Sequence, residues 1–162
     1  MAASRELGNG TVYSIYVQSR VPGDAATIAS ELLTMQGVNY ELMPITRMTA
    51  PRVWRETPIP EWPVQEHLFD SVLLLFGILP FDRHRFGLLE TGPSGFSESS
   101  SSLFMKVWRH DRVIEDQGGV VRVTDSVQFE PRVKLLGALV SPIYETVFRH
   151  RHKRLTRKFG VP

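Results

Sequence analysis

The sequence predicts an α+β fold: a curved antiparallel β-sheet wrapped around a long C-terminal helix, with two short helices after the first strand. Three observations predict it. The chain closes on a stretch that carries both a helix start and a helix stop. Upstream, segments of alternating apolar and polar residues are joined by turns of hairpin length, which suit antiparallel neighbours. The short helical stretches precede the strands rather than alternating with them, the order of a layered α+β fold.

The elements follow in order. Residues 1–10 read as a flexible lead-in. Residues 11–22 alternate, with Tyr13, Ile15, Val17 and Val21 on one face and Ser14, Gln18 and Arg20 on the other, so they predict a half-buried strand. Pro22 and Gly23 break it. Asp24 then caps a helix running to about Met35, with Ile28, Leu32 and Met35 at spacings of four and three, and Gly37 as its stop. Residues 38–45 form a second short helix ended near Pro44. A short strand is expected over 48–54. The proline-rich run 57–63 is an ordered surface loop, because Ile59 and Trp62 give it something to bury.

The most apolar strand is expected over 67–79, punctuated by Gly77 and Pro80, and a second over 81–86. A turn at 92–95 leads into 96–102, a serine-rich stretch expected to be an exposed strand or loop. Residues 103–114 are a strand turned back by Gln117-Gly118-Gly119, and 120–129 a strand with Val121, Val123, Val127 and Phe129 on one face. Residues 135–140 approach the final helix. That helix is expected to begin at Ser141 as N-cap with Pro142 in its first position, and to stop at Gly160. No repeat or linker divides residues 1–162, so one domain is expected.

Bulk composition sets bounds. The chain of 162 residues has a net charge of +2 and is 42% apolar, ordinary values for a globular chain. It contains no cysteine, which excludes disulfides, thiolate metal sites and cysteine nucleophiles. The first ten residues have no apolar core of secretory type, and residues 72–81 fall well short of the ~20 needed to cross a bilayer. A cytoplasmic protein is expected. Positive charge concentrates in Arg149, Arg151, Lys153, Arg154, Arg157 and Lys158. Two readings stay open for them: the solvated back of an amphipathic helix, or a peripheral contact with an anionic surface. His150 and His152, two apart on a helix, point away from each other and do not form a chelating pair.

Three stretches carry a family resemblance. They are Phe76-Gly77-Ile78-Leu79-Pro80; Trp108 to Arg112 with the following Gly118-Gly119 and Val123 to Pro131; and Phe148 to Leu155, ending at Phe159. With the order of elements, they resemble the START-like superfamily (SRPBCC, helix-grip proteins). The resemblance implies a cavity between sheet and final helix that takes a hydrophobic small molecule such as a lipid, sterol or polyketide. Some members are aromatase/cyclases and others only bind or transport. They share no catalytic set, so no residue role carries over.

Candidate residues follow from that architecture. A ligand cavity would be lined by Leu74, Phe76, Phe86, Trp108, Val123, Ile143 and Val147, with Asp125 or His110 fixing one polar group of the ligand and the final helix and the loops at 58–63 and 77–80 as gates. Asp125 shares the alternating face of Val121, Val123 and Val127. It is therefore either buried with a partner, Arg109, His110 or Arg112, or placed at the sheet's rim. His110 and Asp125 are the candidates for proton transfer. His67 and Ser71 suggest a triad with Asp125, but no Gly-x-Ser-x-Gly elbow surrounds Ser71. No ligand spacing for a metal is present, no cofactor is expected, and the absence of an RNP signature argues against nucleic acid as a partner. The expected function is binding or transport of a hydrophobic small molecule rather than catalysis. The alternative is a polyketide cyclase/aromatase-type enzyme using the same cavity.

Overall fold

The computed structural model describes the backbone of residues 3–7 and 10–162, with side chains from residue 11 onward. Among the described residues the order is β1 (Ala3–Leu7), β2 (Gly10–Pro22), α1 (Ala25–Leu32), α2 (Met35–Leu42), β3 (Thr46–Met48), α3 (Arg52–Glu56), a 3-10 turn (Ile59–Glu61), β4 (Phe69–Leu75), β5 (Leu79–Phe86), β6 (Leu88–Gly92), β7 (Gly95–Ser102), β8 (Met105–Asp116), β9 (Val120–Pro131) and α4 (Lys134–Phe159). The strands make one antiparallel sheet in the order β1-β2-β9-β8-β7-β5-β4-β3, with β6 beside β7. α4 packs across β2 and β9, and α1 and α2 close one end. This is the expected curled sheet with one long terminal helix. Of the expected flexible lead-in, Ala3–Leu7 forms the edge strand on β2, while residues 1, 2, 8 and 9 lie outside the described residues.

Local chemistry explains the helix ends. The Asp24 carboxylate accepts the Thr27 N–H and hydroxyl, both at 2.8 Å, and starts α1. The first helix then ends earlier than its periodicity suggests. The Thr34 hydroxyl accepts the Gly37 N–H at 2.9 Å and opens a second helix, so Gly37 lies inside α2 instead of ending α1. A Cβ at Gly37 would sit 2.2 Å from the Glu31 carbonyl oxygen, so only glycine permits this turn between two helices. The strand expected over 48–54 is likewise shorter. β3 stops at Met48, and Pro51 precedes the helical turn of α3. The proline-rich loop does bury Ile59 and Trp62, and the Trp62 indole donates to the Thr57 carbonyl at 2.9 Å.

Two further corrections bear on the interior. The serine-rich stretch is strand β7, and it is not exposed throughout: Phe96, Glu98, Ser100 and Ser102 alternate inward and are buried. The last helix begins at Lys134, not at Ser141. Ser141 is buried within it and Pro142 lies inside it. Small residues explain this. Gly137 and Ser141, four apart, face the sheet and let the first turns dock closely, which offsets the one helical hydrogen bond that a proline removes. At ~1.5 Å per residue the 26-residue helix is about 39 Å long.

Gly137 fixes that docking. A Cβ there would lie 2.3–2.6 Å from the Tyr13 ring, which is itself stacked on Phe129 with centroids 5.4 Å apart. Gly137→Ala improves helix propensity by ~1 kcal/mol, yet overpacking of this kind costs about 1–3 kcal/mol. We therefore expect a lower urea midpoint for Gly137→Ala; a gain in stability would show that the Tyr13 ring swings freely.

Two apolar clusters fill the space inside the sheet. One gathers Val21, Ile28, Leu32, Leu33, Met35, Val38, Ile59, Trp62, Phe69, Phe86, Val121, Val123 and Leu155 beneath α1 and α2. The other is aromatic, built on Trp108, Phe129 and Phe148 with Tyr13 and Tyr144 against it. Among the described residues no helix is long and apolar enough to cross a membrane.

Candidate functional site

The inner face of the sheet carries ionisable side chains where its parity calls for apolar ones. On β9, Val121, Val123, Asp125, Val127 and Phe129 all point inward and are 0–1% exposed. On β8 the inward residues are Trp108, His110, Arg112 and Ile114, on β7 Glu98, and on β5 His84. Register then brings them together. Arg112 lies directly opposite Asp125, and Glu98 opposite His110. A diagonal of charge thus crosses from β9 to β5, and because the side-chain period is two, a one-residue slip would turn every member outward.

Asp125 is the centre. Its Oδ1 accepts from His110 Nε2 and Arg112 Nε, both at 2.8 Å. Its Oδ2 accepts from Arg112 Nη2 at 2.7 Å and pairs with His152 Nε2 at 3.0 Å. Nδ1 of His152 meets the Ser19 hydroxyl at 2.7 Å. Arg112 turns its other edge to Glu41 of α2, donating from Nη1 to Oε1 at 2.6 Å and from Nη2 to Oε2 at 2.7 Å. Arg151 of α4 donates from Nε to Glu41 Oε2 at 2.9 Å. At the far end Glu98 accepts the Ser100 hydroxyl at 2.6 Å, meets His84 Nε2 at 2.6 Å, and lies 3.5 Å from His110 Nδ1. The expected alternatives for Asp125 thus resolve to burial with partners, and His110 and Arg112 are those partners.

The electrostatics follow from burial set against pairing. Burial alone would raise the Asp125 carboxyl, but the Arg112 guanidinium and its hydrogen bonds more than offset this and hold it well below the usual range. Glu98, likewise opposed by burial, is lowered to about 2 by hydrogen bonds from His110 and His84. Burial would lower His110, but the Asp125 carboxylate outweighs it and raises the imidazole above its ordinary value. Glu41 is lowered by Arg112 and Arg151 against its burial.

One donor is left over. Arg151, 4% exposed, has no partner for Nη2. Arg151, Glu98 and His110 border a small void of about 40 Å³ whose other walls are Met35, Val38, Met48, Ile59, Phe86 and Phe96. Of the eight residues expected to line a cavity, Phe86 lines this void. Asp125, Trp108 and Val123 are buried but do not line it, Leu74 and Val147 are half-buried, and Phe76 and Ile143 are 66% and 56% exposed. Much of the space expected between sheet and final helix is filled, in this conformation, by the aromatic cluster and the charge network.

The remaining candidates separate. His67 pairs with Asp70 at 3.1 Å on the exposed face, whereas Ser71 is buried with its hydroxyl unpartnered. No contact joins either to Asp125. The basic end of α4 is not uniformly a solvated back: Arg151 and His152 are buried, Arg154 stacks on Tyr40 at 4.2 Å and donates to its carbonyl at 3.1 Å, and Lys158 pairs with Glu31. Among the described residues no group of three or more His, Asp or Glu side chains is placed to hold a metal ion. Glu41, Glu98 and Arg151 were missed as site residues. Glu41 and Glu98 left a faint signal, since each shares the parity or helical face of apolar neighbours, Val38 and Phe96.

The family model described as "Domain of unknown function (DUF8410)" matches residues 19–159, a span that holds every member of this network. The chain belongs to the DUF8410 family. No curated protein matches it in sequence. Solved structures place the DUF8410 fold. Protein CV1439 from Chromobacterium violaceum shares 8% identity over 92% of this chain and 99% of its own, with a TM-score of 0.67. A START superfamily protein from Mycobacterium smegmatis shares 12% identity over 90% and 96%, with a TM-score of 0.62. Ara h 8.0201 shares 10% identity over 90% and 99%, with a TM-score of 0.54. At such identities the likeness concerns the fold alone, and that fold is START-like, as the sequence resemblance implied.

Proposed function

We propose that this protein binds a hydrophobic small molecule bearing an oxygen acceptor, held in the interior between α2, α4 and the sheet. The observation that carries this reading is the unpartnered Nη2 of Arg151, a residue that lines a small void with six apolar walls. A buried donor without a partner costs about 1–3 kcal/mol, and a carboxylate, carbonyl or hydroxyl oxygen of a ligand would relieve that cost. The START-like fold supports the same reading. The void of about 40 Å³ holds a water or two, whereas a ligand site needs roughly 300 Å³ or more. Binding therefore enlarges the void. Met35 and Met48, unbranched and adaptable, are the walls best suited to move. Affinity would come from apolar area removed from water at ~25 cal/mol per Å², and Arg151 would set the ligand's orientation.

The geometry favours binding over the cyclase-type alternative. His110 borders the void, but both its ring nitrogens face carboxylates, Nε2 toward Asp125 and Nδ1 toward Glu98. Proton transfer to a ligand would have to break one of these pairs first.

Native mass spectrometry of the full chain purified from its own host, followed by organic extraction, tests the reading. A bound apolar molecule is expected. Uptake of a fluorescent fatty acid should fall about tenfold in Arg151→Met, the loss of one charge-assisted hydrogen bond, and be abolished in Val38→Phe, which fills the void. Protein that is empty from its host and takes up no apolar probe, with both variants folded, would sink the proposal.

A further inference from the structure

A second concavity lies on the outer face of the sheet, away from the buried network. Its origin is a seam. β5 and β7 pair only at His84↔Ser102 and Arg85↔Ser101, because β7 pairs with β6 over its first half. The seam leaves an open groove of about 450 Å³ lined by His67, Asp70, Arg83, Arg85, Ser101, Ser102, Leu103 and Arg132. Three guanidinium groups meet there over a single carboxylate.

The three arginines are held differently. Arg83 donates Nε and Nη2 to Asp70 Oδ2, and Asp70 also meets His67. Arg132 is anchored from outside the sheet, its Nε donating to the Ser102 carbonyl at 2.9 Å, which leaves its two terminal nitrogens for another acceptor. Among the described residues the Arg85 side chain has no hydrogen-bond or ion-pair partner, while its backbone pairs with Asp70 and Ser101 in the sheet. Elsewhere on the surface, several cations are matched by carboxylates: Arg52 with Glu56, Lys106 with Glu130, Arg122 with Glu115 and Arg149 with Glu145. The groove is instead left with an excess of two positive charges from its arginines. Guanidinium groups present forked donors that fit tetrahedral oxyanions, and the Ser101 hydroxyl adds a further donor to the lining.

The neck of the groove is built to stay in place. Asp82 is buried, and its Oδ1 accepts the backbone N–H groups of Arg83 at 2.8 Å and Leu103 at 3.1 Å, tying the β7–β8 turn to β5. The Phe104 carbonyl accepts the Arg132 N–H at 2.9 Å, so the same turn also positions the third arginine. Beyond this neck the surface is apolar: Leu103, Phe104, Val133 and Leu135 are 63%, 43%, 55% and 88% exposed.

We propose that this groove is an anion site for a phosphate-bearing ligand, gripped by Arg83, Arg85 and Arg132, with Asp70 as the group that positions Arg83 and limits affinity. The phosphate is either free or part of a lipid headgroup whose chains would meet Leu103, Phe104 and Leu135, and the two arms of the test distinguish these sources. The full chain is titrated with inorganic phosphate at constant ionic strength, with chloride as the balancing anion, and followed by NMR shifts of the residues lining the groove. In parallel it is spun down with phosphatidylcholine vesicles, with and without phosphatidic acid. Saturable shifts with phosphate support the site and name a soluble source. Sedimentation with phosphatidic acid vesicles alone supports it and names a headgroup.

Arg85→Gln, which removes no side-chain bond among the described residues, should weaken binding about tenfold, since a hydrogen bond to a charged group is worth ~1.5–3 kcal/mol. Asp70→Asn should strengthen it several-fold by removing the like charge. Arg157→Gln, on exposed α4 surface, should change nothing. No saturable response in either arm, or an equal loss in Arg157→Gln and Arg85→Gln, would overturn the proposal.

Discussion

Arg112→Met is expected to cost roughly 3–5 kcal/mol, a large share of a domain's stability. Arg112 is 1% exposed and donates to Asp125 and Glu41 through four hydrogen bonds. Methionine has a similar stem but no charge. It would strand two carboxylates, each 0% exposed, in an interior that cannot solvate them. Removing one partner of a buried ion pair costs about 3–5 kcal/mol, and a domain's whole stability is ~5–15 kcal/mol. Neither carboxylate can be rescued by its other contacts. Among the described residues Glu41 keeps only Arg151, and Asp125 keeps His110 and His152. Urea unfolding followed by circular dichroism checks this. A loss below 1 kcal/mol would mean that water reaches Asp125 and Glu41, and that the interior is not as closed as their burial implies.

The network also links the layers. Glu41 comes from α2, Arg112 and His110 from β8, Asp125 from β9, Glu98 from β7, His84 from β5, and Arg151 and His152 from α4. Apolar packing tolerates small shifts of a helix over a sheet; forked hydrogen bonds at 2.6–2.9 Å tolerate far less. The pairs therefore fix where α2 and α4 sit. In the reading proposed above, the same rigidity aims the free edge of Arg151 at the void. Met35 and Met48, which are outside the network, are left as the parts that can yield.

Much of the architecture was legible in the sequence because it rests on local periodicity. The β9 alternation, the Gln117-Gly118-Gly119 turn and the Asp24 cap each need only a few neighbouring residues to be read. Asp125 could be flagged for the same reason, as a carboxylate at an apolar parity. Its partners were harder. Arg112 was legible only as a candidate because it lies in the neighbouring strand of the same hairpin. Glu41 is 71 residues away from Arg112, and only tertiary packing joins them. The start of α4 was misplaced because Ser141-Pro142 is a good local helix start. Gly137 docks against Tyr13, 124 residues upstream, and that long-range contact overrides the local signal. The serine run misled by composition: Ser97 to Ser102 looks solvated, but strand pairing sets Glu98, Ser100 and Ser102 on the same inward face as Phe96.

The second large effect is on pH dependence, and the network sets its sign on both sides. Glu98 falls from an ordinary 4.5 to about 2 in the folded protein. A depressed carboxylate contributes stability above its unfolded value and loses it as pH drops toward the folded one. At ~1.4 kcal/mol per unit, Glu98 alone should contribute about 3 kcal/mol that disappears between about pH 4.5 and 2. Asp125 and Glu41 shift in the same direction and steepen the fall. His110 acts on the other side. Its raised value means a contribution fully present below about 6.5 and lost as pH climbs through the folded value. Stability should therefore peak between about pH 4.5 and 6.5, where these carboxylates are charged and the His110 imidazole is protonated. Urea midpoints across this range test it. Glu98→Gln should flatten the acid limb while lowering the peak, since His110 and His84 lose a charged partner. A midpoint that rises steadily from pH 6 to 9 would show that His110 is not held as an imidazolium between its two carboxylates.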